Sequence, residues 1–303
     1  VAVTGADGAT TGFRVPAARD GDRLVDVARD HLGTVAVREV GELLRDGAVT
    51  VDGTVRGIND EVRASGVLVL APAALSALRA AGRVTEPCDV ALRVVHEDAD
   101  LVVVDKPAGM HVHPLGRHRQ HTLVGALLFA AGARHDQPWS AWRPRPTHRL
   151  DRPTSGLVLV AKRAEVQRAV DLLRERGEVH RSYRATVHGA IVGDVGTVDQ
   201  PLGRDPSDDR RRAVVHGGQP AVTHWRVLGR DATTTTLGVV LETGRTHQVR
   251  AHLAHLGHPL LGDELYGAPA STGPGAGPGI GLRAVGLTLP HPVTGAAMTL
   301  VAP

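Results

Sequence analysis

The sequence predicts an α+β protein built in two parts. Three observations carry this. An N-terminal stretch reads as two helices followed by short strands. The much longer remainder is rich in strand runs with only a few helical patterns between them. And 303 residues are enough for one large domain plus a small one. The expected division is a flexible tail over 1–21, a small domain over 22–72, a linker over 73–88 and a large domain over 89–303.

Composition narrows the class. Hydrophobic residues at 42% and charged residues at 22% describe a soluble globular protein. No run approaches the roughly 18 apolar residues of a membrane span. Val1 to Thr10 lack both a basic start and an apolar core, so no secretory signal is expected. A lone cysteine, Cys88, excludes an internal disulfide and fits a reducing, cytoplasmic setting. The net charge is +3 and the pI about 9.6, with arginine supplying nearly all the positive charge. Lys106 and Lys162 are the two lysines. Arginine suits phosphate forks and base stacking, so charge makes nucleic acid a modest favourite among partners and no more.

From Asp22 the pattern turns helical. Leu24, Val27 and Ala28 fall at i, i+3 and i+4, and Val37, Val40 and Leu44 at i, i+3 and i+7. Gly47 ends the second helix. Ala48 to Val55 reads as a hairpin with an Asp52-Gly53 turn, and Val67 to Leu70 as a last strand. Residues 71–88, with Pro72 and Pro87, read as a linker holding a short helix.

The large domain opens with strands at Val90 to Val95 and Leu101 to Asp105. The second runs into a Lys106-Pro107-Ala108-Gly109 turn. Thr122 to Ala131 reads as a helix, and 132–146, with Trp139 and Trp142, as a loop packed onto the domain. Gly156 to Ala161 is a short buried strand. Val166, Ala169, Val170 and Leu173 line one face of the next helix, which Gly177 stops. Arg181 to Val187 alternates as a strand, with Tyr183, Ala185 and Val187 on one face. Residues 196–219 read as a mobile, irregular arm containing Arg204, Arg210, Arg211 and Arg212. Two further strands follow, at Gln219 to Leu228 and Thr235 to Leu241. At Gly244 the chain turns into a helix whose Val249, Leu253 and Leu256 share a face. Residues 268–280 form a Gly/Pro-rich loop, and a strand from Leu282 closes the chain.

Chemistry concentrates at the bend before the Gly156 strand. Pro153 fixes its own φ and biases Arg152 away from helix, so the bend is tight. It carries Asp151 between Arg149 and Arg152. An ionised carboxylate on a rigid turn can serve as a nucleophile or a base. Two histidine-rich tracts, His111 to His121 and His247 to His258, raise a metal reading. No Cys or His-x-Glu pair accompanies the first, and the second offers no i, i+4 pair, so no metal is expected.

Four stretches occur in order: Asp105-Lys-Pro-Ala-Gly109, His148-Arg-Leu-Asp-Arg-Pro-Thr-Ser-Gly156, Tyr183-Arg-Ala185 and Gly244-Arg-Thr-His-Gln-Val-Arg250. Together they resemble the signature of the RluA-type pseudouridine synthases, from about residue 90 to 303. Residues 22–72 resemble, more weakly, the alpha-L RNA-binding fold that often precedes that catalytic domain. The matching positions there are Arg23-Leu24, Leu43-Leu44, Gly47, Val51-Asp52-Gly53 and the final strand, but the second helix lacks the usual basic opening. Arg283 also stands where that family usually has His.

The resemblance implies a mixed, mainly antiparallel sheet with flanking helices and a central cleft. It implies isomerisation of uridine in ribosomal or transfer RNA to pseudouridine, without a cofactor. Catalytic roles fall to Asp151, Tyr183 and Arg250, with Asp151 acting at the ribose as nucleophile or as proton acceptor. RNA-binding positions are Arg149, His148, Arg152, Thr154, Lys106, Arg245, His247 and Leu260. The implied partner is RNA, the expected state a monomer in the cytoplasm. Two rival readings are an RNA-binding protein without activity and a histidine-rich metallohydrolase. The intact Asp151, Tyr183 and Arg250 speak against the first.

Overall fold

The computed structural model describes residues 2–4, 11–116, 118–267 and 279–303. In chain order come β1 (Ala2–Thr4), β2 (Thr11–Arg14), α1 (Leu24–His31), α2 (Val37–Arg45), β3 (Val49–Val51), β4 (Thr54–Val55), β5 (Val67–Leu70) and α3 (Pro72–Ala80). Then follow β6 (Arg93–Glu97), β7 (Leu101–Lys106), α4 (Leu123–Ala130), β8 (Arg145–Pro146), β9 (Ser155–Ala161) and α5 (Ala164–Glu175). The rest comprises β10 (His180–His188), β11 (Val195–Asp199), β12 (Leu202–Arg204), β13 (Arg212–Val214), β14 (Val222–Arg230), β15 (Thr234–Leu241), α6 (Gln248–His255), β16 (Leu282–Pro290) and β17 (Ala297–Val301). The chain divides into two compact units: Val1–Leu92 with His111–Pro146 and Ala161–Gln167, and Arg93–Met110 with Thr147–Val160 and Arg168–Pro303. Among the described residues no helix is long and apolar enough to cross a membrane.

In the first unit the strands lie in the order β1-β2-β5-β3-β4. Leu24, Val27 and Ala28 of α1 and Val40, Leu43 and Leu44 of α2 are buried, as their helical spacing requires. Asp52 and Gly53 both take positive φ, 50° and 76°, which turns the β3–β4 hairpin with the twist its strands need.

Two sequence expectations fail here. Within the expected tail over 1–21, β2 pairs antiparallel with β5, and Phe13 and Val15 are buried. A strand of four residues is too short for its alternation to register as a pattern. The expected linker over 73–88 is likewise packed: Leu75 and Val84 enter the same core, and the Thr85 N–H donates to the Thr34 carbonyl at 2.7 Å.

Residues 111–146, expected in the large domain, also belong to this unit. Trp139 explains it, since the ring is buried in the core with Phe13, 5.7 Å away between centroids. Gly33 is needed there, because a Cβ would strike the Leu128 and Ser140 side chains.

In the second unit the main sheet runs β11-β14-β15-β10-β16-β9-β7-β6, with β17 on β16. Pairs β10–β15, β10–β16, β14–β15, β11–β14, β6–β7 and β16–β17 are antiparallel, and β16–β9 is parallel. The sheet is thus mixed and mainly antiparallel. All of Leu157 to Ala161 is buried, so β9 is covered on both faces. Its second residue, Gly156, has φ +116°, and a Cβ there would land on the Ala284 backbone of β16. Only glycine lets β9 begin so close to β16, and this fixes where the preceding turn emerges.

The arm expected to be irregular over 196–219 is partly ordered. β12 and β13 pair antiparallel, while Arg210 and Arg211 reach Asp208 and Asp205 at 2.6 and 2.7 Å. The expected Gly/Pro loop over 268–280 lies outside the described residues from 268 to 278.

Candidate active site

Asp151 sits in the turn that leads into β9. The Thr154 N–H closes that turn on the Asp151 carbonyl at 3.0 Å. Beneath it lies Lys106, at the end of β7 and 0% exposed. Its ammonium donates to the carbonyls of Pro107 and Met110, both at 2.9 Å, and of Arg152 at 3.4 Å. Three donors meet three acceptors, so the buried charge is satisfied. Burial lowers the Lys106 pKa to about 8, against the opposing pull of Asp151, and leaves the ammonium charged at neutral pH. The Gly109 N–H adds a bond to the Arg152 carbonyl at 2.8 Å. Lys106 is therefore an anchor under the turn and not the RNA contact expected from the sequence. A side chain with no exposed surface cannot reach a ligand.

Arg250 comes from the first turn of α6 and is 5% exposed. Its Nη1 lies 3.3 Å from Asp151 Oδ2. The stronger pairing is with Asp263, which sequence reasoning missed. Arg250 Nε and Nη2 grip its two oxygens at 2.7 and 2.8 Å, a two-pronged bond between buried groups. The Arg250 guanidinium also stands 5.0 Å over the ring of Tyr266. Both Asp263 and Tyr266 follow α6 in Gly262-Asp-Glu-Leu-Tyr-Gly267, a stretch adjoining the fourth motif and the sole signal that could have found them.

The start of α6 is pinned from several sides. Gln248 Oε1 accepts the Arg245 N–H and the Thr243 hydroxyl, both at 2.9 Å. His247 holds the N-cap position in a left-handed conformation, φ 58°. That costs about 1–3 kcal/mol for a residue with a Cβ. In exchange the imidazole sits close to the catalytic turn, with Nε2 3.9 Å from Asp151 Oδ2 and Nδ1 3.0 Å from the Tyr266 hydroxyl. Burial lowers the His247 pKa, so the ring is neutral at pH 7.

Tyr183 is brought to the same place by β10. The register against β16 slips between Ser182 and Tyr183, a bulge of the kind that re-aims a side chain. Tyr183 is 5% exposed, and burial raises its pKa, so it is a neutral phenol at physiological pH. Together Arg149, Asp151, Thr154, Tyr183, Arg245 and His247 line a cavity of about 60 Å³, joined by Gln248, Arg250 and four aliphatic residues, among them Leu241 and Leu282. The cavity is far smaller than the ~300 Å³ at which ligand pockets begin.

The remaining expected contacts divide. Arg149 is exposed, and Arg152 donates from Nε to the Gly109 carbonyl at 3.1 Å. Arg245 donates to the Pro220 carbonyl at 3.0 Å. Thr154 is buried, and its Oγ1 has no hydrogen-bond partner among the described residues. His148, expected to touch RNA, points inward instead. Its Nε2 accepts the Leu159 N–H at 3.2 Å, and burial lowers its pKa to about 3, so it is a neutral pin between the turn and β9. Leu260, expected against the flipped base, is 0% exposed and bridges to Val187. Arg283, at the position that departs from the signature, reaches Asp105 at 2.7 Å and Ser155 Oγ at 3.4 Å.

Two histidines of the second tract, His252 and His258, are structural. His252 bonds Thr223 Oγ1 and the Gln200 carbonyl, at 2.8 and 3.0 Å, and His258 bonds the His188 carbonyl at 2.9 Å. Asp98, Asp100 and His291 do bring potential metal-ligating atoms within 4.8 Å of one another. Yet His291 Nδ1 accepts the N–H groups of Val293 and Thr294, at 3.2 and 3.1 Å. Its proton is therefore on Nε2, facing Asp98 Oδ2 at 3.3 Å, which makes the group a hydrogen-bonded clasp.

The family described as RNA pseudouridylate synthase matches residues 100–255. The chain is 37% identical over 299 residues to ribosomal large subunit pseudouridine synthase D of Pseudomonas aeruginosa, covering 95% of this chain and 90% of that protein. The Xanthomonas campestris protein of the same name is 36% identical over 301 residues, covering 95% and 87%. Among solved structures, human RNA pseudouridylate synthase domain containing 4 aligns with a TM-score of 0.55 at 25% identity, over 77% of this chain and 91% of that one. A match over half of the chain, joined to near full-length relatives at this identity, decides the question. The chain belongs to the RluA-type family of RNA pseudouridylate synthases, isomerases that convert uridine in RNA to pseudouridine.

Proposed function

We propose that this enzyme modifies a uridine of large-subunit ribosomal RNA, with Asp151 as the catalytic carboxylate. The observation that carries the assignment of Asp151 is its position in the cavity beside the Arg250 guanidinium, at 3.3 Å, with Tyr183 and Arg149 on the same lining. The ribosomal substrate follows the printed names of the most extensive relatives.

The reaction breaks the N1–C1′ bond, turns the uracil and joins C5 to C1′; C5 then loses its proton and N1 takes one up, so atoms and electrons balance. It is an isomerisation, so no redox or group-transfer cofactor is required. The target base must first leave its stack, at a cost of a few kcal/mol. Exposed Arg149 fills the vacated space. Asp151 then acts at the ribose, attacking C1′ or taking the 2′ proton, and Arg250 holds it oriented. Tyr183 stacks on the uracil as a neutral phenol. Arg152, Arg245 and the β12–β13 hairpin contact phosphates, which makes binding salt-sensitive. Residues 22–72 serve as an alpha-L-like RNA-binding module. The protein acts as a monomer in the cytoplasm without metal.

The test is pseudouridine mapping in total rRNA and tRNA of cells lacking the gene, rescued with the normal protein or with Asp151→Asn. Loss of one rRNA site that only the normal protein restores is the expected result. Restoration by Asp151→Asn removes Asp151 from the chemistry. A lost tRNA site overturns the ribosomal substrate.

A further inference from the structure

We propose that Tyr266 is a positioning residue for Asp151: its hydroxyl, held by the Arg212 backbone, fixes the tautomer of His247 so that an Nε2–H faces the catalytic carboxylate. The proposal deepens the reading of the active site above and rests on it.

The argument follows one proton at a time. The Arg212 N–H, at the start of β13, donates to the Tyr266 hydroxyl oxygen at 2.8 Å. That oxygen keeps its own proton to give away. His247 Nδ1 stands 3.0 Å from it. A neutral imidazole whose Nδ1 accepts must carry its proton on Nε2. Nε2 is the nitrogen that faces Asp151 Oδ2, 3.9 Å away in this resting geometry. The chain of donors therefore runs from the backbone of the arginine-bearing hairpin, through a phenol, to an imidazole whose Nε2–H faces the Asp151 carboxylate across 3.9 Å.

The surroundings hold each link in place. Tyr266 is 9% exposed and shares a small core with Leu202 of β12, Ala221 and Ala251 of α6, with Val214 of β13 packed against it. Its ring meets the imidazole edge-on, 5.8 Å between centroids. The charged and titratable groups facing His247 are Asp151, Asp263, Arg250, Arg212 and Tyr266. Two anions and two cations nearly balance, so the hydroxyl is the group that selects which ring nitrogen bears the proton. If His247 took a second proton it would pair with Asp151 as a cation and blunt the carboxylate. Tyr266 prevents this by occupying Nδ1 with a donor that the protonated ring would have to displace.

A consequence is coupling. The Arg212 N–H that organises Tyr266 belongs to the hairpin whose strands pair Arg204 with Arg212. RNA that moves this hairpin moves the first donor of the chain, and so reaches Asp151 without touching it.

The experiment is ¹⁵N NMR of the full chain labelled at histidine, with the His247 signals assigned by their loss in His247→Gln. At pH 7 the wild type is expected to show His247 with Nδ1 unprotonated and Nε2 protonated. Tyr266→Phe is expected to show a mixture of tautomers. With an unmodified large-subunit rRNA transcript, Tyr266→Phe should lower kcat up to about tenfold, the worth of one hydrogen bond, with KM within about twofold. The acid limb of its kcat/KM profile should move to higher pH. A wild-type His247 protonated on Nδ1 overturns the proposal whatever the variants do, and so does a Tyr266→Phe enzyme with unchanged tautomer and pH profile. Failure of the wild type to form pseudouridine in any rRNA or tRNA would instead sink the reading of the site, while the tautomer measurement still stands or falls alone.

Discussion

One guanidinium faces two carboxylates on two turns, and the turns treat them differently. In the turn after α6, Asp263 is 1% exposed and takes both Nε and Nη2 of Arg250. In the turn before β9, the Asp151 side chain is 26% exposed and receives a single, longer contact from Nη1. The first carboxylate is consumed by the arginine; the second is only steered by it. A buried ion pair with full hydrogen bonding has no capacity left for chemistry, whereas a carboxylate held loosely by the arginine keeps lone pairs free. The same arginine thus separates a structural acid from the one proposed to react.

The sharpest way to break this comparison is Asp151→Asn. Pseudouridine formation should fall by about three orders of magnitude or more, while thermal unfolding shifts by less than about 2 °C, because a partly exposed carboxylate with one long contact contributes little to the fold. A stable variant that keeps its activity would reverse the assignment of the two acids. Asp263→Ala should do the opposite first. It leaves a buried guanidinium without its main partner, at a cost of about 3–5 kcal/mol in urea unfolding, and activity follows as Arg250 turns toward Asp151. Lys106→Met addresses the floor under the reactive turn. It strands three carbonyls that now share one ammonium, and about 1–3 kcal/mol of stability should be lost.

The last effect concerns His148 and appears only as pH dependence. Its pKa is lowered from 6.5 to about 3 by burial, so between these values the unfolded chain binds a proton that the folded one refuses. Stability from this group is complete above pH 6.5 and declines as pH falls toward 3, at about 1.4 kcal/mol per pH unit. His148→Gln should flatten that part of the unfolding free-energy curve; an unchanged slope would mean the ring is not held neutral.

The sequence made the reactive side of this comparison legible and the structural side obscure. Asp151, Arg149, Tyr183 and Arg250 carry side chains whose chemistry stands out on short ordered motifs, and they line one cavity. Asp263 and Tyr266 lie 13 and 16 residues beyond Arg250, in a turn with no periodicity to tie them to it. His148, Lys106 and Leu260 show the reverse error. Their motifs marked them as important, but a motif does not say whether a residue faces the ligand or props up one that does, and burial decides that. In the fold, strands of the large sheet were readable from apolar runs. The strand at Thr11–Arg14 was not, because Phe13 earns its place only through partners distant in sequence, His31 and Trp139.

The burial of Lys106 also bears on how this enzyme can be handled. The chain has two lysines, and one of them has no exposed surface and spends all three ammonium protons on backbone carbonyls. Lys162, partly exposed and 5.3 Å from the ring of Trp142, is left as the side-chain amine that an acylating dye or cross-linker meets in the folded protein. Labelling of Lys106 should appear only once the catalytic turn opens. The ratio of the two adducts, read by mass spectrometry, then serves as a gauge of how often that turn comes undone, with and without RNA.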